Sequence, residues 1–255
     1  SYNKSKFQLP ILPVEDYPTL SQGELPINFK LHVKDLCKLI DTTKFAISME
    51  ETRYYLNGIY LHKDDKKLIS VATDGHRLAR TSINLPSGAD LISGSIIPRK
   101  AIFEIRKLIE DYSDDEDVLV SLSETKIRVC VNDTTITSKL IDGNFPDYEK
   151  VIPVSNDKLL QVEAEPFFNA IDRVSTVNQD KTPTVKLQFE NNSIKIMATS
   201  TDSNKGDEEV AANYAADGLE ILFNSKYILD LHDVVEGDTL ILELLNQSSP
   251  VIVKD

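Results

Sequence analysis

The sequence predicts an α+β fold built twice in tandem, each unit packing two helices on antiparallel sheets. Three observations lead there. The chain has 255 residues, 41% of them hydrophobic and 27% charged, a balance that suits soluble globular folding with apolar material for more than one core. Short stretches that alternate polar with apolar residues stand directly before stretches with helical spacing. The same series of patterns then returns later in the chain in the same order, as tandem structural units do.

Taken in order, residues 1–25 carry Pro10, Pro13 and Pro18, with Pro26 at the edge, and show neither period, which reads as a connector. Ile27, Phe29 and Leu31 alternate with polar neighbours as a half-buried strand, and Val33, Leu36, Cys37, Leu39 and Ile40 follow at helical spacing. The helical segment Leu36 to Asp41 has a counterpart in Phe167 to Asp172, Ile171 lying 131 residues after Ile40, and Leu160 and Val162 supply the strand before it. Val71-Ala72-Thr73 returns as Met197-Ala198-Thr199 at a spacing of 126. A second helix, with Pro98 in its first turn, shows Ile102, Ile105, Leu108 and Ile109 on one stripe and returns as Ile228, Leu231, Val234 and Val235. Val118, Val129 and Val131 match Leu240, Val251 and Val253 at a spacing of 122, through a connection four residues shorter. One such match could be chance between amphipathic patterns; four in one order are a repeat. The units are expected at 24–148 and 149–255, the second ending within a strand-like alternation and so lacking its closing strand.

Composition removes several function classes. No apolar run approaches the roughly 18–20 residues of a membrane span, and the Ser1-Tyr2-Asn3-Lys4 start lacks the apolar stretch of a signal peptide. It also lacks an initiator Met, so the chain is expected to start mid-protein or to have been trimmed. Cys37 and Cys130 show no CxxC spacing, which fits a reducing compartment and small core residues. The four histidines have no metal-ligand spacing and the 9 glycines form no phosphate loop, so neither metal nor cofactor is expected. A net charge of −13 disfavours a simple nucleic-acid binder but leaves local basic faces open. The acidic runs at 111–117 and 207–209 read as solvated loops.

Three segments invite function. Thr73-Asp74-Gly75-His76-Arg77-Leu78 places Asp, His and Arg together, as a hydrolase would, yet Asp74-Gly75 between apolar runs is foremost a turn signal. On the helix after Pro98, Arg99 with Arg106 and Lys100 with Lys107 recur at seven residues along a common side, and Lys34, Lys38 and Lys44 lie on or beside the earlier helix. That pattern fits a surface tracking a phosphate backbone and equally fits solvated lysines balanced by Asp35, Asp41, Glu104 and Glu110. Tyr54-Tyr55 beside Arg53 fits phosphate or sugar contacts, or the two faces of a strand. Asp142 to Tyr148 is a turn and an aromatic-proline link at the unit boundary, either a stiff linker or the wall of a junction pocket.

Arg53-Tyr54-Tyr55-Leu56-Asn57-Gly58, Val71 through Ala79, and Thr137 through Gly143 with Phe145-Pro146-Asp147-Tyr148 closely resemble the bacterial β sliding clamps, processivity subunits of DNA polymerase III. The resemblance runs from about Lys4 to Asp255. It implies repeated DNA-clamp domains, with 1–23 the end of an absent first domain and its linker, 24–148 the middle domain and 149–255 the C-terminal domain. It implies a non-catalytic subunit of a nucleotidyltransferase holoenzyme, without cofactor, in the bacterial cytoplasm at the nucleoid. Its partners would be duplex DNA without sequence preference, replicative and repair polymerases, the clamp loader and a second protomer of the full-length protein. By resemblance, Tyr54, Tyr55, Arg99 and Lys100 face DNA, and Thr176 and Val177 lie at the protomer interface. Leu56, Thr73, Gly75, His76, Arg77, Leu78, Pro146, Lys150, Val151, Asn224 and Tyr227 line a groove for short linear motifs, with Leu56, Leu78 and Val151 as apolar walls. Lys150 stands where the family commonly has Arg, and Glu50 is not counted as a DNA contact. The alternative is a stand-alone peptide-binding adaptor without DNA.

Overall fold

A computed structural model describes residues 4, 6–16, 24–178, 180 and 182–255. Of the connector, 6–16 run without a strand and with one 3-10 turn at Val14–Asp16; Pro18 lies outside the described residues.

The first unit opens with β1 (Ile27–His32), whose Phe29 and Leu31 point inward, and passes directly into α1 (Val33–Asp41). After a 3-10 turn at Glu51–Leu56 come β2 (Gly58–Asp64), β3 (Lys67–Thr73), β4 (Leu78–Asn84) and β5 (Ser95–Pro98). Then follow α2 (Arg99–Ile109), β6 (Asp117–Leu122), β7 (Lys126–Val131) and β8 (Thr134–Lys139). Two four-stranded antiparallel sheets result, ordered β4-β3-β2-β5 and β1-β6-β7-β8. Between them a core of Phe29, Leu39, Ile59, Leu68, Ile102, Ile105, Val118 and Val129 buries the apolar faces of both helices.

The second unit repeats this order with two strands in place of three after its second helix: β9 (Lys158–Glu163), α3 (Ala164–Ser175), β10 (Thr184–Glu190), β11 (Ser193–Thr199), β12 (Lys205–Tyr214), β13 (Leu219–Asn224), α4 (Ser225–Leu229), β14 (Thr239–Leu244) and β15 (Ile252–Lys254). Its core is separate, centred on Phe167, Phe168, Ile171, Leu187, Phe189 and Tyr214. This is the tandem α+β architecture that the repeat predicts.

Five expectations change in detail. The acidic residues 207–209 lie on β12 and not in a loop, with Glu208 paired to Arg173. Pro98 ends β5 and caps α2 rather than entering its first turn. Tyr54 and Tyr55 lie in a 3-10 turn, not on a strand. The second helix of the second unit stops at Leu229, so Leu231, Val234 and Val235 stand in the tight turns that follow, where Leu231 and Val235 still reach the core. In the last ladder Leu242 faces Val253 whereas Val120 faces Val129, so Val129 corresponds to Val253 and not to Val251. The displacement is two residues, which preserves the inward face because side chains alternate with a period of two, and for that reason the alternation concealed it.

Candidate functional site at the junction of the two units

The turn between β3 and β4 is built by its own side chains. Gly75 takes φ +89, a left-handed conformation that glycine adopts without strain. Asp74 Oδ1 accepts the backbone N–H groups of His76 at 2.9 Å and Arg77 at 3.0 Å, and its Oδ2 accepts Arg77 Nε at 3.1 Å. Thr73 Oγ1 donates to the Arg77 carbonyl at 2.7 Å and accepts from the Gly75 N–H at 3.1 Å. The Asp74 carboxylate is therefore committed to shaping the turn. It is not a group orienting His76 as a base, and the turn reading prevails over the hydrolase reading.

From this turn Arg77 crosses to the second unit. Its Nη2 donates to the Phe45 carbonyl at 2.6 Å, and its Nη1 donates to the carboxylate of Asp230, immediately beyond α4. Its guanidinium carbon lies 4.4 Å from the centre of the Tyr227 ring and 5.2 Å from that of Phe45, within cation–π range of both. His76 lies 6.4 Å from Tyr227 between centroids, the two rings inclined at 28°. Asn224 caps α4, its side-chain oxygen accepting the Lys226 N–H at 3.0 Å, and so fixes the start of the helix that carries Tyr227.

The connection between the units lies along the outer face of the β2–β3 sheet. Phe145 stacks on Tyr60 at 4.8 Å and 5°, and Tyr60 on His62 at 4.9 Å and 22°. His62 Nε2 and the Tyr148 hydroxyl are hydrogen-bonded at 2.9 Å. Tyr148 is buried with Ile69 and Val71, and Leu78 and Ile152 pack against them. Burial pushes the Tyr148 phenol above its usual range, against a hydrogen bond with Arg80 that lowers it. Around this anchor Pro146 and Lys150 are exposed, Lys150 Nζ pairing with Asp147 at 2.7 Å, and Val151 is 62% exposed.

Thr73, Gly75, His76, Arg77, Leu78, Asn224 and Tyr227 thus gather where the units meet, and Pro146, Lys150 and Val151 lie on the connection beside them. Leu56 differs from expectation. It is 3% exposed at the end of its 3-10 turn, so it is interior and does not form an open apolar wall. Sequence reasoning missed Phe45 and Asp230. The usable signal for Asp230 was its position three residues after Tyr227, on the same face of a helical turn.

The basic residues form a second grouping. The Arg99 N–H donates to the Asn57 carbonyl at 2.9 Å, which sets the first turn of α2 against the end of the turn bearing Tyr54 and Tyr55. The two tyrosine rings meet edge to face at 5.8 Å, Tyr54 is exposed, and Gly143 rests against both. Arg99 lies over the Phe103 ring at 5.1 Å, and Lys100 is exposed. Neither has a carboxylate partner among the described residues. Arg53, by contrast, is held by both oxygens of Glu50, at 2.8 and 2.7 Å, and that hydrogen bonding keeps the Glu50 carboxyl below its ordinary range. Elsewhere, Thr176 closes α3, its hydroxyl donating to the Arg173 carbonyl at 2.7 Å, and Val177 packs on the second core. A separate cleft of about 550 Å³ opens beside the start of α3, lined by Glu163, Glu165, Glu236 and Asp238 with His232, and it contains none of the expected site residues. Among the described residues no three His, Cys, Asp or Glu side chains converge as a cation site, and no helix is long and apolar enough to cross a membrane.

Two family models match in tandem, the central domain of the DNA polymerase III beta subunit over residues 30–147 and its C-terminal domain over 149–255. The beta sliding clamp of Caulobacter vibrioides is 41% identical over 256 residues, covering 99% of this chain and 68% of the relative. That of Escherichia coli is 33% identical, with 99% and 68% covered. Among solved structures, the sliding clamp of Bartonella birtlesii bound to griselimycin superposes with a TM-score of 0.93 at 45% identity, covering 98% of this chain and 68% of that one. The Pseudomonas aeruginosa sliding clamp with ligand superposes at 0.92 and 36% identity, covering 99% and 69%.

Proposed function

Because the chain belongs to the bacterial β sliding clamps, non-catalytic processivity subunits of DNA polymerase III, we propose that it docks its partners at the junction between residues 24–148 and 149–255, as middle and C-terminal clamp domains. The partners are polymerases, the clamp loader and repair proteins, each offering a short linear motif. The observation that carries this reading is the convergence of His76, Arg77 and Leu78 from one unit with Tyr227 from the other, beside an exposed connection bearing Pro146, Lys150 and Val151. An amphipathic aromatic flanked by apolar side chains and a few fixed polar groups is what an extended apolar motif requires. Griselimycin on the Bartonella protein supports capture of small ligands within the family.

Duplex DNA is the second partner. Tyr54, Tyr55, Arg99 and Lys100 face the phosphate backbone, and two full-length protomers close a ring around it through surfaces that include Thr176 and Val177. A chain of net charge −13 with a few uncompensated basic residues suits sliding, because weak, non-specific phosphate contacts hold position without reading sequence. The protein works in the cytoplasm, on the nucleoid.

Fluorescence anisotropy with a labelled Gln-Leu-x-Leu-Phe peptide tests the groove. Saturable binding is expected, and Tyr227→Ala weakens it by about tenfold or more, as truncating an interface aromatic does. A native chain that shows no saturable binding would overturn the groove.

A further inference from the structure

The Arg77 guanidinium is committed before any ligand arrives. Nε is held by Asp74, Nη2 by the Phe45 carbonyl and Nη1 by Asp230, while the Tyr227 ring lies 4.4 Å from its carbon. The side chain is only 19% exposed. Three of its five N–H donors are used, one on each nitrogen, so the planar fork is fixed in place and no longer presents a free edge to a ligand carboxylate. Asp74 and Phe45 belong to the same unit as Arg77 and cannot join it to the other. Asp230 does join them, from a position 153 residues away in the chain and one helical turn after Tyr227.

We infer that Asp230 is a positioning residue for peptide capture: through Arg77 it draws α4 onto the turn at 74–77 and so sets where Tyr227 stands in the groove. Asp230 itself is 43% exposed, so the bare charge pair contributes little. Its leverage comes from the other two anchors, because a guanidinium already immobilised loses no further side-chain freedom in binding a third partner. This inference rests on reading the junction as a peptide groove.

The test uses the full chain and two readouts. In protein labelled with 3-fluorotyrosine, Tyr227→Phe assigns the Tyr227 fluorine resonance. Asp230→Asn keeps the side-chain shape and removes the charge. It is expected to move that resonance toward the position of free 3-fluorotyrosine while the other tyrosines stay put. In the same variant the dissociation constant for the labelled Gln-Leu-x-Leu-Phe peptide rises about tenfold, and Asp230→Glu restores both readouts. A folded Asp230→Asn chain with the resonance and the affinity unchanged overturns the inference. So does a loss of affinity with the resonance unmoved, since Asp230 would then be touching the peptide itself. If Asp230→Asn does not fold, Asp230→Ser, which also removes the carboxylate, is read by the same two measurements, and the same outcomes uphold or overturn the inference. Failure of the native chain to bind peptide sinks the groove reading instead, and the fluorine spectrum still reports on the clasp.

Discussion

Arg99 and Arg106 share one side of α2 by their spacing of seven, yet they meet opposite fates. Arg106 gives Nε to both oxygens of Asp41, at 3.0 and 2.8 Å, and this hydrogen bonding holds its pKa above the ordinary value. Asp41 ends α1, so the packing of one helix on the other decides which charge is consumed. Lys34 and Lys44 are likewise paired, with Asp115 and Asp41. Arg99, Lys100, Lys38 and Lys107 have no ion pair among the described residues, and Arg99 and Lys100, which start α2 beside the turn of Tyr54 and Tyr55, are the charges to reverse. For Arg99→Glu with Lys100→Glu, the slope of log affinity against log salt on duplex DNA is expected to fall by about 2, one unit for each lost phosphate contact. Peptide affinity should be unchanged. A variant with the native salt slope would favour the adaptor without DNA. Spacing shows that these residues share a helix side. It carries no information about the carboxylates that reach them from elsewhere in the chain.

At the scale of elements the two units differ in ways that local pattern could not show. In the first, two sheets stay separate; in the second, β12 runs ten residues to Tyr214 and pairs with β9, joining its strands into one sheet of seven. The alternation predicts strands, but which strand a long edge meets depends on the closure of the whole unit. The short α4 has a similar explanation: its apolar stripe continues past Leu229 in tight turns that serve the core as well as a helix would. One glycine carries more than a turn. A Cβ on Gly58 would lie 2.2 Å from the Ile97 carbonyl oxygen across the β2–β5 ladder, against backbone that cannot move aside alone. Gly58→Ala is therefore expected to cost about 3 kcal/mol in urea unfolding, as overpacking does. A loss under about 0.5 kcal/mol, the level of an ordinary surface change, would show that β5 gives way freely.

Across the whole molecule, two cores meet through few contacts, so the connection and the Arg77 clasp carry the geometry between them. Stacking of Phe145 on Tyr60 and the bond between His62 and Tyr148 pin the connection to the first unit. Phe145→Ala should raise amide hydrogen exchange over 145–152 by about tenfold, the equivalent of one lost aromatic pair of roughly 1–1.5 kcal/mol, while both cores keep their protection. Unchanged exchange there would place the anchor elsewhere. By itself the sequence determined the repeat, the antiparallel α+β units, the Asp74-Gly75 turn and the family, because hydrophobic period and turn chemistry act over a few residues and leave their mark in order. Only the tertiary structure decided that Leu56 is interior, that Arg106 is neutralised, and that Arg77 closes on Asp230 beneath Tyr227. Those outcomes depend on charges and rings brought together from distant parts of the chain, and no periodicity encodes such meetings.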